Sequence, residues 1–227
     1  MSKTRYIGDV HGHVHELQLV LNNLPEDVTS VVQVGDMGVG FGKGEYWHTS
    51  LDEMMVHNNA KFIRGNHDSP DECKKMESWI PDSTVINDVM YVGGAWSIDH
   101  HWRTMGINIW EDEELSYTDL NIAIDTFKFA RPRVMVTHDC PEEISLELFI
   151  KTGNSIGGGI QFKTRTASAL QTMFKHHQPD LHIFGHWHTD VDEVVNGTRF
   201  ICLGELSYCD VDDDTLEIVW QKTIRSF

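Results

Sequence analysis

Short runs rich in apolar and β-branched residues recur along the chain, and between them apolar positions return every three to four residues. Ser30–Val34, Ala60–Ile63, Arg133–Val136 and Leu181–Phe184 are of the first kind. Their shortness and weak polar alternation predict strands covered on both faces. Leu17, Val20, Leu21 and Leu24 hold a helical spacing, as do Trp47, Leu51, Met54 and Met55, and then Ala167, Leu170, Met173 and Phe174. Strands alternating with helices predict an α/β layering. Beyond Thr189 the pattern becomes strand upon strand, and Asn196-Gly197 supplies the two positive-φ residues that a tight hairpin needs. No repeat, low-complexity tract or linker interrupts the chain, so residues 1–227 are expected to form a single domain.

The predicted strands end in chemistry. Asp9 follows Arg5-Tyr6-Ile7, Asp36 follows Val34, Asn66 follows Ile63, His138 follows Val136 and His186 follows Phe184. In layered α/β folds the loops beyond the carboxyl ends of strands converge, so residues far apart in sequence can share one site. Each motif alone has a plain reading. Gly35-Asp36 suits a turn, Asn66 suits an Asn-mediated turn, and a histidine at a strand end more often packs or bonds to backbone. Taken in order, Gly8-Asp9-Val10-His11-Gly12-His13, Gly35-Asp36, Gly65-Asn66-His67-Asp68, Thr137-His138-Asp139 and Gly185-His186-Trp187-His188 form a set of oxygen and nitrogen ligands without sulfur.

Charge narrows the partners. A formal net charge of -17 repels polyanions, which disfavours clamping of extended duplex nucleic acid. Bound cations would offset that field locally and admit phosphate. The four cysteines, Cys73, Cys140, Cys202 and Cys209, contain no Cys-x-x-Cys pair and read as reduced buried thiols. Met1–Arg5 runs into the first strand without an apolar signal core, and no apolar run is long enough to span a membrane. A cytoplasmic location is the expectation.

From Asp9 to His188 the ordered motifs resemble the calcineurin-like metallophosphoesterase superfamily. The resemblance implies two mixed β-sheets packed as a sandwich and flanked by helices. It implies that Asp9, His11 and His188 bind one metal, that Asn66, His138 and His186 bind another, and that Asp36 bridges both. Two divalent cations roughly 3.5–4 Å apart need such a shared anion. Imidazole, carboxylate and amide donors suit Mn, Fe, Zn or Ni better than Ca, with Mn the expected ion. The implied reaction is hydrolysis of a phosphomonoester or phosphodiester by a metal-bridging hydroxide. His67 resembles the superfamily's catalytic histidine and would protonate the leaving oxygen or stabilise its charge. Asp68 is expected to hold the His67 ring in the required tautomer.

The match departs at the second motif. Serine/threonine protein phosphatases continue it as Gly-Asp-x-x-Asp-Arg-Gly, whereas Val39 and Gly40 stand here in place of the second Asp and the Arg. A phosphate-binding guanidinium fork is therefore missing at that position. Arg64, Arg103, Lys163 and Arg165 are candidate replacements, with Arg103 and Arg165 the expected substrate contacts. Phosphoprotein phosphatase and noncatalytic scaffold remain the alternative readings. The glycine-rich stretches Phe41–Gly44 and Gly153–Gly159 read as flexible loops, the second as a lid. His15, His48, His57, His176 and His177 fall in helical stretches and are expected at the surface.

Overall fold

The computed structural model describes residues 2–151 and 163–221. Strands β1 (Lys3–Ile7), β2 (Val28–Gln33) and β3 (Ala60–Phe62) run parallel, with helices α1 (Val14–Asn22) and α2 (Glu45–His57) as their crossovers. A short helix α3 (Pro70–Cys73) follows. The chain then builds a second sheet from β4 (Thr84–Ile86), β5 (Val89–Val92), β6 (Val134–Thr137), β7 (Leu181–Phe184), β8 (Val191–Val195) and β9 (Thr198–Cys202). Helices α4 (Tyr117–Ala130), α5 (Glu142–Lys151) and α6 (Arg165–His176) belong to this half. Finally β10 (Tyr208–Asp212) and β11 (Ile218–Gln221) return to the first sheet.

The sheet orders are β11-β10-β1-β2-β3 and β4-β5-β6-β7-β9-β8. Both are mixed. β10 and β11 add antiparallel strands to the first, and β4 and β8 form antiparallel edges of the second. Alternation along the strands explains the layering. Tyr6, Val32, Val134, Val136, Leu181 and Ile183 meet in one apolar cluster between the sheets. Their neighbours point the other way: Ile7 and Val31 pack with Leu17, Val20, Leu51 and Met55 of α1 and α2. Met135 and Phe184 pack with Phe127, Leu170 and Met173 of α4 and α6. The result is the expected sandwich of two mixed sheets with helices outside.

The Asn196-Gly197 hairpin joins β8 to β9, with φ of 51° and 90°. The sequence pattern did not pick out α4, whose apolar face (Leu120, Ala123, Phe127) is narrow, nor α5. All four cysteines are free and buried. Gly153–Gly159, read as a lid, lies outside the described residues. Among the described residues no helix is long and apolar enough to cross a membrane.

Candidate metal centre

The five motifs lie just beyond the ends of β1, β2, β3, β6 and β7, and their side chains meet. Close backbone approach makes this possible. A Cβ on Gly65 would lie 2.1 Å from Asp36 Oδ1, and one on Gly185 would lie 2.2 Å from Asp9 Oδ1. Each of these glycines precedes one donor and makes room for another from a different motif. Four of the donors carry left-handed backbone: His11 (φ 47°), Asp36 (φ 59°), His186 (φ 67°) and His188 (φ 49°). Non-glycine residues occupy that region at a cost of about 1–2 kcal/mol each. Such strain is held only where the surrounding structure demands it.

One group comprises Asp9, His11, Asp36 and His188, whose ligand atoms all lie within 4.8 Å of one another. His11 Nε2 and His188 Nε2 are 3.0 Å apart, and Asp9 Oδ2 is 3.0 Å from His188 Nε2. Asp9 is fully buried, yet its Oδ2 has no hydrogen bond of acceptable geometry. Its Oδ1 accepts the His186 backbone N–H at 3.1 Å. The Asp9 carboxylate beside it raises the His188 pKa.

Asn66, His138 and His186 gather on the other side of Asp36. His138 Nε2 lies 3.1 Å from Asn66 Oδ1 and 3.2 Å from Asp36 Oδ1, while its Nδ1 donates to the Val34 carbonyl at 2.9 Å. That backbone bond fixes the tautomer, leaving Nε2 to face the site. The His186 ring stands edge-on to His138 with centroids 5.1 Å apart. Burial alone would raise the Asp36 carboxyl, but the His138, His67 and His11 rings outweigh it and hold it well below the usual carboxylate range. Burial opposes a charged His138, yet Asp36 beside it raises that ring. Burial, followed by His138, pushes His186 well down.

His67 donates its backbone N–H to Asp36 Oδ1 at 2.7 Å, so its ring stands beside the donor cluster, with its centroid 4.8 Å from that of His11. Phe41 stacks on it at 5.2 Å. Burial lowers the His67 pKa to about 4, with Arg103 and His11 pushing the same way. The ring is thus neutral at pH 7 in the free protein. Arg103 arrives from the loop between β5 and α4, and its Nη2 touches His67 Nε2. It is held by Asp99 Oδ1 at 2.8 Å and by the Asn108 carbonyl at 3.2 Å. Since a guanidinium only donates, Nε2 accepts and the ring proton sits on Nδ1.

Several expectations need correction. Asp68 does not orient the His67 ring. Its Oδ1 accepts from the Gly38 and Val39 N–H groups and its Oδ2 from those of Met37 and Gly65. It therefore clamps the loop after β2 to the loop after β3. His48 is buried, not at the surface, and its Nε2 accepts the Gly40 N–H at 3.0 Å. Arg64 is buried and committed to Asp82 and to the carbonyls of Asp112 and Glu113. Arg165 stands at the start of α6, 3.2 Å from Glu114 and over the Tyr117 ring, lining a cavity of about 490 Å³ with Trp96 and Lys163. The missing phosphatase arginine also has a reason. A Cβ on Gly40 would lie 2.5 Å from Ser69 Cβ, and Val39 is wholly buried in apolar contacts.

Two imidazole nitrogens and two carboxylates aimed at one point, one oxygen being orphaned in the interior, is the chemistry of a cation site. The Asp9, His11, Asp36 and His188 group is suited to hold a metal ion. The fold recurs in known proteins. The calcineurin-like phosphoesterase superfamily domain matches residues 3–220. No curated protein matches the sequence significantly. Among solved structures, a Thermus thermophilus protein superposes with a TM-score of 0.62 at 10% identity, covering 97% of this chain and 98% of its own. A dimetal phosphatase from Danio rerio gives 0.54 at 12%, covering 92% of each chain. GAP50, the anchor in the inner membrane complex of Plasmodium, gives 0.52 at 10%, covering 99% of this chain and 91% of its own. At such identities the likeness concerns the fold alone. With nearly its whole length matched, this chain belongs to the calcineurin-like phosphoesterase superfamily.

Proposed function

We propose that this protein is a two-metal phosphoesterase that hydrolyses phosphomonoester or phosphodiester bonds. The observation that carries the reading is the position of Asp36. Its Oδ1 lies 3.2 Å from His138 Nε2 in one donor group, and its Oδ2 lies 3.8 Å from His11 Nε2 in the other. Asp9, His11 and His188 would hold one ion, Asn66, His138 and His186 the second, and Asp36 both. Bound divalent ions supply Lewis-acid charge for phosphoryl oxygens and lower the pKa of water towards neutrality. Mn is the expected occupant, and Fe, Zn or Ni suits the same donors.

The chain's own groups supply the rest. Arg103, buried against Phe41 and braced by Asp99, offers a fixed cation to a phosphoryl oxygen where the second motif has none. His67 acts at the leaving oxygen. A phosphate anion beside the ring draws Arg103 to itself and favours the imidazolium, which makes His67 a donor only when substrate is present. Arg165, already paired with Glu114, would meet substrate only through the cavity it lines with Trp96.

The phosphoprotein phosphatase alternative is disfavoured by the lack of room for an arginine at position 40. A noncatalytic scaffold has no need of converging donors, so their retention beside His67 favours an enzyme. The test is to strip the protein of metal, reload it with Mn²⁺ and assay p-nitrophenyl phosphate, bis-p-nitrophenyl phosphate, nucleotides and phosphopeptides. Mn-dependent turnover of small esters is expected. Turnover confined to phosphopeptides would move the reading to the phosphatase, and none with any ion would move it to the scaffold.

A further inference from the structure

Building on the two-metal reading, we infer that Ser97 and Glu113 are positioning residues that set which end of the Asn66 amide faces the metal. A carboxylate ligand has equivalent oxygens, but an amide does not. Turned the wrong way, Asn66 would present an NH₂ group to the cation and to His138. Something must fix the choice.

Asn66 Nδ2 donates to Ser97 Oγ at 3.0 Å. The Ser97 hydroxyl gives its single proton to Glu113 Oε2 at 2.7 Å, and the Ser97 backbone N–H donates to Glu113 Oε1 at 2.8 Å. Ser97 Oγ is left with lone pairs towards Asn66, so only a donor can stand opposite it. The NH₂ end therefore turns to Ser97 and Oδ1 turns to the site, 3.1 Å from His138 Nε2. The relay is directional because an ionised carboxylate can only accept. Water cannot substitute for any member: Asn66 is 3% exposed, Ser97 0% and Glu113 6%. The relay is also anchored at both ends, since Arg64, two residues before Asn66, donates from Nη1 to the Glu113 carbonyl at 2.9 Å.

Two substitutions separate orientation from bulk structure. Glu113→Gln is nearly isosteric, but it brings an NH₂ group towards Ser97 Oγ and reverses the relay. Ser97→Ala removes the acceptor. The full chain, stripped of metal, is titrated with Mn²⁺ by calorimetry, and the metal-free melting temperature of each variant reports folding. Outer partners of metal ligands typically govern affinity by about 10–100-fold, so the ion at Asn66 should weaken by that factor while the ion at Asp9, His11 and His188 changes by less than about threefold. In an Asn66→Asp background, where both ligand oxygens are equivalent, the effect of Ser97→Ala should vanish. Equal weakening of both ions, an unchanged second ion, or an undiminished Ser97→Ala effect in the Asn66→Asp background would each overturn the inference. A parent protein that takes up a single ion would instead overturn the two-metal reading, and the inference with it.

Discussion

Asn66 and His138 sit at 3% and 0% exposure, and each is fixed by a hydrogen bond away from the site, to Ser97 Oγ and to the Val34 carbonyl. Across Asp36, the side chains of His11 and His188 are 18% and 49% exposed, and both residues carry left-handed backbone. In the inner half, Asn66 and His138 are oriented by packing and outer hydrogen bonds. In the outer half, His11 and His188 depend on strained loop backbone, a feature His186 shares, and face solvent, while Asp9 is buried. On the proposed two-metal reading one carboxylate joins two differently built sites, so the two ions should differ in lability. Chelator should remove the ion at His11 and His188 first, and the inner ion more slowly.

The largest effect should come from the joint itself. Asp36→Asn replaces a charged, two-sided ligand with a neutral amide and should deplete both halves. Loss of activity of about 10⁴-fold or more is expected, matching the several kcal/mol of charge stabilisation that two ions supply. Elemental analysis beside the rate assay checks this; depletion of one half alone would break the bridge. Next in size is His67→Ala, which should leave metal content nearly intact because His67 belongs to neither half. A loss of about 10²–10⁴-fold is expected on an alkyl phosphate, the usual worth of general acid catalysis. It should shrink for a p-nitrophenyl ester, whose leaving group needs little protonation. An equal loss on both esters would reject proton donation.

The layers, and the convergence of side chains beyond the strand ends, were legible because each rests on local pattern. Strand runs, the Asn-Gly turn and a donor after each strand end are short-range signals, and the resemblance tied them together. What joins distant residues was not legible. Nothing near Asp68 in sequence says that its carboxylate meets the N–H groups of Met37, Gly38 and Val39. His48 looks like any polar position of an amphipathic helix, and its burial depends on the Gly40 N–H from the preceding loop. The Ser97–Glu113 relay lacks any motif in the sequence.

A smaller effect concerns a histidine in neither half. His182 on β7 is fully buried among Phe174, Phe184 and Phe200, and its Nδ1 has no partner. Burial lowers its pKa from 6.5 to about 3. The unfolded chain takes up a proton below 6.5 and the folded one does not, so stability falls as pH drops from that value towards 3. The slope is at most about 1.4 kcal/mol per pH unit. In metal-free protein, His182→Leu should abolish this contribution, and denaturant midpoints of the two proteins should diverge between pH 6.5 and 4. Parallel curves would show that His182 does not titrate on unfolding.

The central claim is that Asp36 holds two ions at once, and manganese titration of the metal-stripped protein followed by electron paramagnetic resonance tests it most directly. Two ions per chain are expected, with the exchange-coupled spectrum of a pair roughly 3.5–4 Å apart. Saturation at one ion, or two ions with uncoupled spectra, would contradict it.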